Sequence, residues 1–236
     1  MSNDAQHTGT VRDGGLLLGI DTCGPKGSVA LGRFSGPLVE ILGETELEGR
    51  SYSATLVAAV EDLLARAGVR VSELGAIVAV SGPGSFTGVR VGLSAVKGLA
   101  EPARIPVVAV SRLQVLAWKA GVESAALDAH RNEVFLRVPG LDGESIELLA
   151  GLAELGMTPP SLQIAVGDEA AADLLASACP ATTLLRIPAP TAADAMKLAA
   201  PGILAGKFVD LAKLDGHYLR RSDAEIFGAA AKVHGA

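Results

Sequence analysis

Glycines, hydroxyls and one arginine stand together in "SGPGSFTGVRVG", Ser81 to Gly92, between the apolar run "GAIVAV" and the helix-forming "LSAVKGLA". Backbone N–H groups left open where a strand turns into a helix attract an anion. Gly82, Gly84, Ser85, Thr87 and Arg90 are therefore candidate anion- or nucleotide-binding residues. Counting excludes two familiar phosphate grips. Walker A requires lysine after its last glycine, but Val89 follows Gly88. The dinucleotide fingerprint requires glycine in the sixth place counted from Gly82; Thr87 stands there, with Gly88 one residue late. A purely structural reading stays open beside the chemical one. In it Gly82 and Gly84 serve a tight turn, and Gly88 and Gly92 let a neighbouring backbone approach closely.

Asp21 closes the apolar run "GLLLGID" and precedes the turn "TCGPKG", whose one basic residue is Lys26. Actin-like phosphotransferase folds place a carboxylate near metal and phosphate at such a position, so Asp21 joins the candidate nucleotide-binding set; capping of the turn is the alternative. Asp128 in "ESAALDAHRNEVFLRV" repeats the arrangement. His130 there could act as a general base beside Asp128 and Glu133, although a polar turn between strands explains it more simply. Hydrolase signals are thin. His7, His130, His217 and His234 form no HExxH or HxxxH pair, and there is no GxSxG elbow. Cys23 and Cys179 lie far apart without CxxC spacing, which indicates neither a disulfide framework nor a thiolate metal site. No catalytic residue and no metal ligand is expected in this chain.

These residues need strands and helices to hold them. "GLLLGID" and "SVALGRF" read as a hairpin with a buried first strand, and "LVEILGETE" as a further strand. In "SYSATLVAAVEDLLARAG", Tyr52, Leu56, Ala59, Leu63 and Ala67 recur at helical spacing, with Ser51 as N-cap and Gly68 as stop. "GAIVAV" is a buried strand; the helix after the glycine loop is expected from Gly88 to Ala100, with Pro102 beyond its end. "IPVVAVS" and "RLQVLAWKAG" supply a strand and a helix. The pattern then begins again, and "QIAVGDEAAADLLASA" repeats strand, glycine turn and helix. The duplication divides the chain into a tail over 1–14, a first lobe over 15–111, an abbreviated second lobe over 112–227 and a tail over 228–236. "TAADAMKLAAPGILAG" is a last helix, and Tyr218, Arg220 and Arg221 anchor the carboxyl-terminal segment on a lobe.

With 236 residues, nearly half of them apolar but only 3% aromatic, the core must be built from Ala, Val, Leu and Ile. A net charge of -6 repels a phosphodiester backbone, which disfavours direct nucleic-acid binding. No apolar run reaches the roughly 18 residues of a membrane span, and the opening "MSNDAQHTGTVRDGG" has no signal-peptide core. The cysteine usage suits a reducing cytosol, so a cytoplasmic location is expected.

"LLLGIDTCGPKGSVALG", "SGPGSFTGVRVGLSAVKGLA", "LDAHRNEVFLRV" and "YLRRSDAE" together resemble the TsaB family, also called YeaZ, in order and spacing from about Leu16 to Glu225. The resemblance implies an α/β, two-lobed actin-like (RNase H-like) fold with mixed sheets flanked by helices. It also implies work in the synthesis of threonylcarbamoyladenosine beside the anticodon of tRNA. In that pathway transfer is attributed to the paralogue TsaD, which holds metal through histidines, with the ATPase TsaE as a third subunit. By this resemblance the chain is a non-catalytic scaffold. It needs no cofactor of its own, binds ATP or ADP weakly at most and within the complex, and meets tRNA only through TsaD and TsaE. The expected partner surface is the pair of helices carrying Tyr52, Leu56, Ala59 and Leu63 and, on a small-residue ridge, Gly88, Gly92, Ala95 and Leu99. The same surface would serve a homodimer when TsaD is absent. Relatives often carry histidine where this chain has Tyr52, which would alter the interface chemistry. The alternative is a stand-alone enzyme, either an actin-fold small-molecule kinase or a glycoprotease-like peptidase.

Overall fold

The computed structural model describes residues 13–49, 51–140, 142–157 and 162–220. Residues 1–12 of the expected amino-terminal tail, Arg221 with the rest of "RSDAEI", and the tail over 228–236 lie outside the described residues. The chain divides into two compact units, Met1–Val115 with Pro190–Gly216 and Leu116–Ala189 with His217–Ala236.

In the first unit β1 (Leu16–Asp21), β2 (Lys26–Ser35) and β3 (Leu38–Glu48) form an antiparallel meander, followed by α1 (Tyr52–Ala67), β4 (Leu74–Val80), α2 (Phe86–Ala103) and β5 (Val107–Val110). β4 runs parallel to β1 and β5 parallel to β4, giving the sheet order β3-β2-β1-β4-β5. The chain leaves this unit within α3 (Arg112–Ala120).

The second unit contains β6 (Ser124–Asp128), β7 (Glu133–Pro139), β8 (Ser145–Gly151), α4 (Leu152–Met157), β9 (Gln163–Val166), α5 (Glu169–Ala178) and β10 (Thr183–Arg186). Its sheet order, β10-β9-β6-β7-β8, is that of the first unit read from the other edge, with the same antiparallel meander and the same two parallel pairs. The internal duplication is thus a duplication of topology. The second copy is shorter, for α4 has 6 residues where α1 has 16 and α5 has 10 where α2 has 18.

One boundary differs from the sequence reading. The helix expected at the end of the second lobe, α6 (Ala192–Leu204), belongs to the first unit together with the rest of Pro190–Gly216. Its Ala192, Ala195, Met196, Ala199, Ala200 and Ile203 are buried, and the Ala192 N–H donates to Ser28 Oγ at 2.8 Å. The reason is coverage of both sheet faces. On β1, Ile20 faces α2 while Gly19 faces α6, where a Cβ would stand 2.8 Å from the Ala192 carbonyl oxygen. With both faces covered, β1 is an almost unbroken apolar run instead of an alternating one.

Two helix ends also differ. Gly68 stops α1 in the left-handed region as expected, but Ser51 turns its hydroxyl back to donate to the Glu48 carbonyl and does not cap. α2 starts two residues before Gly88, capped by Ser85, and runs through Pro102. Gly98, whose carbonyl the missing proline N–H would have met, is exposed to water.

Candidate functional site at the carboxyl edge of the first sheet

Because β1, β4 and β5 are parallel, their carboxyl ends lie along one edge, and the segments after them converge there. This is the edge at which open α/β sheets bind ligands. β1 ends on Asp21 and the segment after it brings Cys23, the one after β4 brings the glycine loop and α2, and the one after β5 brings Arg112.

The glycine loop is committed to the chain's own backbone. Gly82 sits at φ 112, a region that favours glycine, and its carbonyl accepts the Arg112 N–H at 2.6 Å. Ser85 N–H donates to the Cys23 carbonyl at 2.8 Å, and Gly88 N–H to Ser85 Oγ at 3.3 Å. A Cβ on Gly84 would stand 2.1 Å from the Cys23 carbonyl oxygen, one on Gly88 2.1 Å from the Thr22 carbonyl oxygen, and one on Gly92 2.2 Å from Thr22 Oγ1. The close approach is therefore to residues 22–23 of the same unit. The small-residue ridge does not wait for a second helix. Thr87 and Arg90 are exposed, and the Arg90 guanidinium lies 3.8 Å over the Phe86 ring.

Asp21 is 1% exposed. Its Oδ1 accepts the Cys23 N–H at 2.8 Å, and its Oδ2 lies 3.6 Å from Nε of Arg112, itself 5% exposed. Tyr52 reaches the same edge, and its hydroxyl donates to the Gly24 carbonyl at 2.8 Å. Burial pushes the Tyr52 hydroxyl and the Cys23 thiol up, and the Asp21 charge raises both further. Cys23 Sγ donates to the Val80 carbonyl at 3.3 Å. Lys26, the basic residue singled out in the first turn, is instead exposed and paired with Glu46 at 2.6 Å. The residue that meets Asp21 is Arg112, ninety-one positions on in sequence. Its signal was its place directly behind a third parallel strand, which is informative only once the strand order is known.

Whether this edge suits the metal-bound nucleotide of actin-like enzymes can be judged from these contacts. It does not fit at Asp21: a guanidinium stands beside the carboxylate, and Ser85 N–H and Gly88 N–H, which would face a phosphate, are already bonded within the chain. Among the described residues no group of three or more His, Cys, Asp or Glu is placed to hold a metal ion.

In the second unit Asp128 holds the corresponding strand end. Its Oδ1 accepts the His130 N–H at 2.8 Å and its Oδ2 meets His130 Nδ1 at 2.7 Å, while Glu133 pairs with Arg220. His130, Arg131 and Asn132 are all left-handed, at φ 61, 58 and 60. The acid and histidine are thus spent on a tight turn, as the simpler reading has it. The anchoring expected of Arg220 is seen in its bond to Glu133.

The expected partner residues need correcting. Tyr52, Leu56 and Leu63 are 4%, 2% and 3% exposed and belong to this chain's own core, as do buried Gly88 and Gly92; Ala59, Ala95 and Leu99 pack partly against it. Apolar spacing marks the face a helix buries, and here its own sheet claims that face. Among the residues that α1 and α2 show to solvent are Ala54, Val57, Ala58, Ser94 and Gly98, with Val57 56% exposed, beside the charged Glu61, Asp62, Arg66 and Arg90.

Residues 45–153 match the family model described as "TsaD: tRNA N6-adenosine threonylcarbamoyltransferase". A tRNA threonylcarbamoyladenosine biosynthesis protein TsaB of Haemophilus influenzae is 37% identical over 125 residues, which is 50% of this chain and 51% of the relative. The TsaB of Escherichia coli is 34% identical over 125 residues, 50% of this chain and 52% of the relative. The chain spans about half the length of these curated relatives. A crystal structure of a Pseudomonas aeruginosa protein with similarity to peptidase YeaZ superposes with a TM-score of 0.72 at 30% identity, covering 87% of this chain and 100% of that one. Identities of 34–37% to TsaB proteins over half of the chain, and of 30% to a YeaZ-like structure that the chain covers in full, lead to one conclusion: the chain belongs to the TsaB (YeaZ) family.

Proposed function

We propose that this chain serves tRNA threonylcarbamoyladenosine biosynthesis as a non-catalytic subunit that docks on a TsaD-type partner through the solvent faces of α1 and α2. The observation that carries this reading is the character of those faces. The two helices lie side by side on one face of the first sheet and, beside charged residues such as Glu61, Asp62, Arg66 and Arg90, present to solvent the small and apolar Ala54, Val57, Ala58 and Gly98. The match to the TsaD family model supports a paralogous partner, because related lobes offer related surfaces. Pairing of two copies through the same faces when the partner is absent, and recruitment of TsaE, belong to the same proposal. The filled carboxyl edge at Asp21 favours it over a stand-alone kinase. Reconstitution tests it: TsaD, TsaE, tRNA and threonylcarbamoyl-adenylate are combined with and without this chain, and modified adenosine is measured. Modification that proceeds equally without it overturns the proposal.

A further inference from the structure

Asp21 Oδ2 is buried without a hydrogen-bond donor, and Arg112 Nε, equally buried, is without an acceptor; the two atoms face each other at 3.6 Å. Enclosing a carboxylate this deeply is costly unless a positive charge or several donors stand beside it. Oδ1 receives one N–H, from Cys23, and the guanidinium supplies the charge. The fold also makes room for it. A Cβ on Gly24 would stand 2.3 Å from Arg112 Nη2 and 2.8 Å from Cζ, so the side chain threads past a residue that must be small. From the other side, the Arg112 N–H is tied to the Gly82 carbonyl at 2.6 Å, which couples the arginine to the glycine loop. Cys23 and Tyr52, both buried, enclose the remainder.

We infer that Arg112 is an internal cation standing where a divalent metal would otherwise sit beside Asp21, and that it closes this edge of the first unit to metal-bound nucleotide. Arg112 acts through Asp21 as a positioning residue for the strand end and the glycine loop. The inference does not depend on which partner α1 and α2 meet, because docking on their outer faces neither opens nor needs this edge. It implies a latent site: a shorter neutral side chain at position 112 leaves Asp21 available to an added cation.

The full chain is compared as wild type, Asp21→Asn, Arg112→Gln and Arg112→Gln with Asp21→Asn, using Mn²⁺ as the probe and reading free Mn²⁺ by electron paramagnetic resonance at neutral pH. The expected result is that the wild type binds Mn²⁺ no better than Asp21→Asn. Arg112→Gln gains about tenfold or more in affinity, and adding Asp21→Asn abolishes the gain. A wild type that binds Mn²⁺ through Asp21, or an Arg112→Gln chain that gains nothing, overturns the inference. Should Arg112→Gln not fold, the double variant decides. Recovery of the folded chain shows the two groups to be each other's counter-ions, since removing one partner of a buried pair strands the other. Failure to recover overturns the inference.

Discussion

A Cβ placed on Gly92 falls 2.2 Å from Thr22 Oγ1, which itself donates to the Gly88 carbonyl at 2.7 Å. Helix α2 is thereby locked onto the end of β1 by contact too close for any other residue. Gly92→Leu should cost several kcal/mol, about 3 or more, because the buried Thr22 hydroxyl, held by its bond to the Gly88 carbonyl, cannot give way as the end of a long flexible side chain could. Gly98→Ala, on the exposed side of the same helix with nothing within 4 Å of a new Cβ, should stabilise by about 0.5–1 kcal/mol. Urea denaturation of both variants checks the contrast. Equal effects would show that helix propensity, and not the contact with Thr22, governs position 92.

The proposed partner surface is separable from the core by mutation. Val57→Arg adds charge to a side chain 56% exposed and should leave stability within about 0.5 kcal/mol of the wild type. It should nevertheless weaken association with a TsaD-type partner about tenfold or more, measured by titration calorimetry. Leu63→Ala, in contrast, opens a cavity in the core and should lower stability by about 2–5 kcal/mol.

Alkaline pH should unfold the first unit through two buried acids. The Tyr52 hydroxyl and the Cys23 thiol have folded-state pKa values above their unfolded ones, chiefly from burial and then from the Asp21 charge. A raised value means the folded state holds the proton more tightly. Their contribution is therefore complete below the unfolded values of about 8.5 and 10, and is lost as pH climbs past them. Stability should fall by about 1.4 kcal/mol per pH unit for each group once its unfolded form ionises. Tyr52→Phe should cost about 1 kcal/mol at neutral pH, through the bond to the Gly24 carbonyl, and flatten the alkaline limb. Denaturant titrations between pH 7 and 11 read both effects, and an unchanged alkaline slope would remove Tyr52 from the account.

In the second unit Asp168 does two jobs at one loop. Its Oδ1 caps α5 by accepting the Ala171 N–H at 2.8 Å, and its Oδ2 accepts the Asp128 N–H at 2.9 Å. Asp168→Ala should lose about 2 kcal/mol, more than a cap alone, and hydrogen exchange should quicken at both Ala171 and Asp128. Faster exchange at Ala171 alone would reduce the residue to a simple cap.

Local patterns made much of this legible. The unbroken apolar run of β1, the helical spacing of α1 ended by Gly68, and the repeat of strand, aspartate and turn at Asp21 and Asp128 follow from side-chain period and turn chemistry, which act within a few residues. The same patterns were silent about which face an element would spend where. Gly88, Gly92, Tyr52 and Leu56 looked like a surface for another molecule because small and apolar residues read alike whether a helix meets its own sheet or a partner.

By itself, then, the sequence determined the element types, the duplicated order of strands, the glycine-dependent turn into α2 and the absence of a Walker or dinucleotide signature, all consequences of short-range sterics and hydrophobic period. Only the tertiary structure decided that α6 returns to cover the first sheet, and that Gly92 meets Thr22 rather than a second helix. It also decided that the cation beside Asp21 is Arg112 and not Lys26. Strand order brings distant segments to one edge, and burial there leaves a carboxylate to be satisfied by whichever charge the packing delivers.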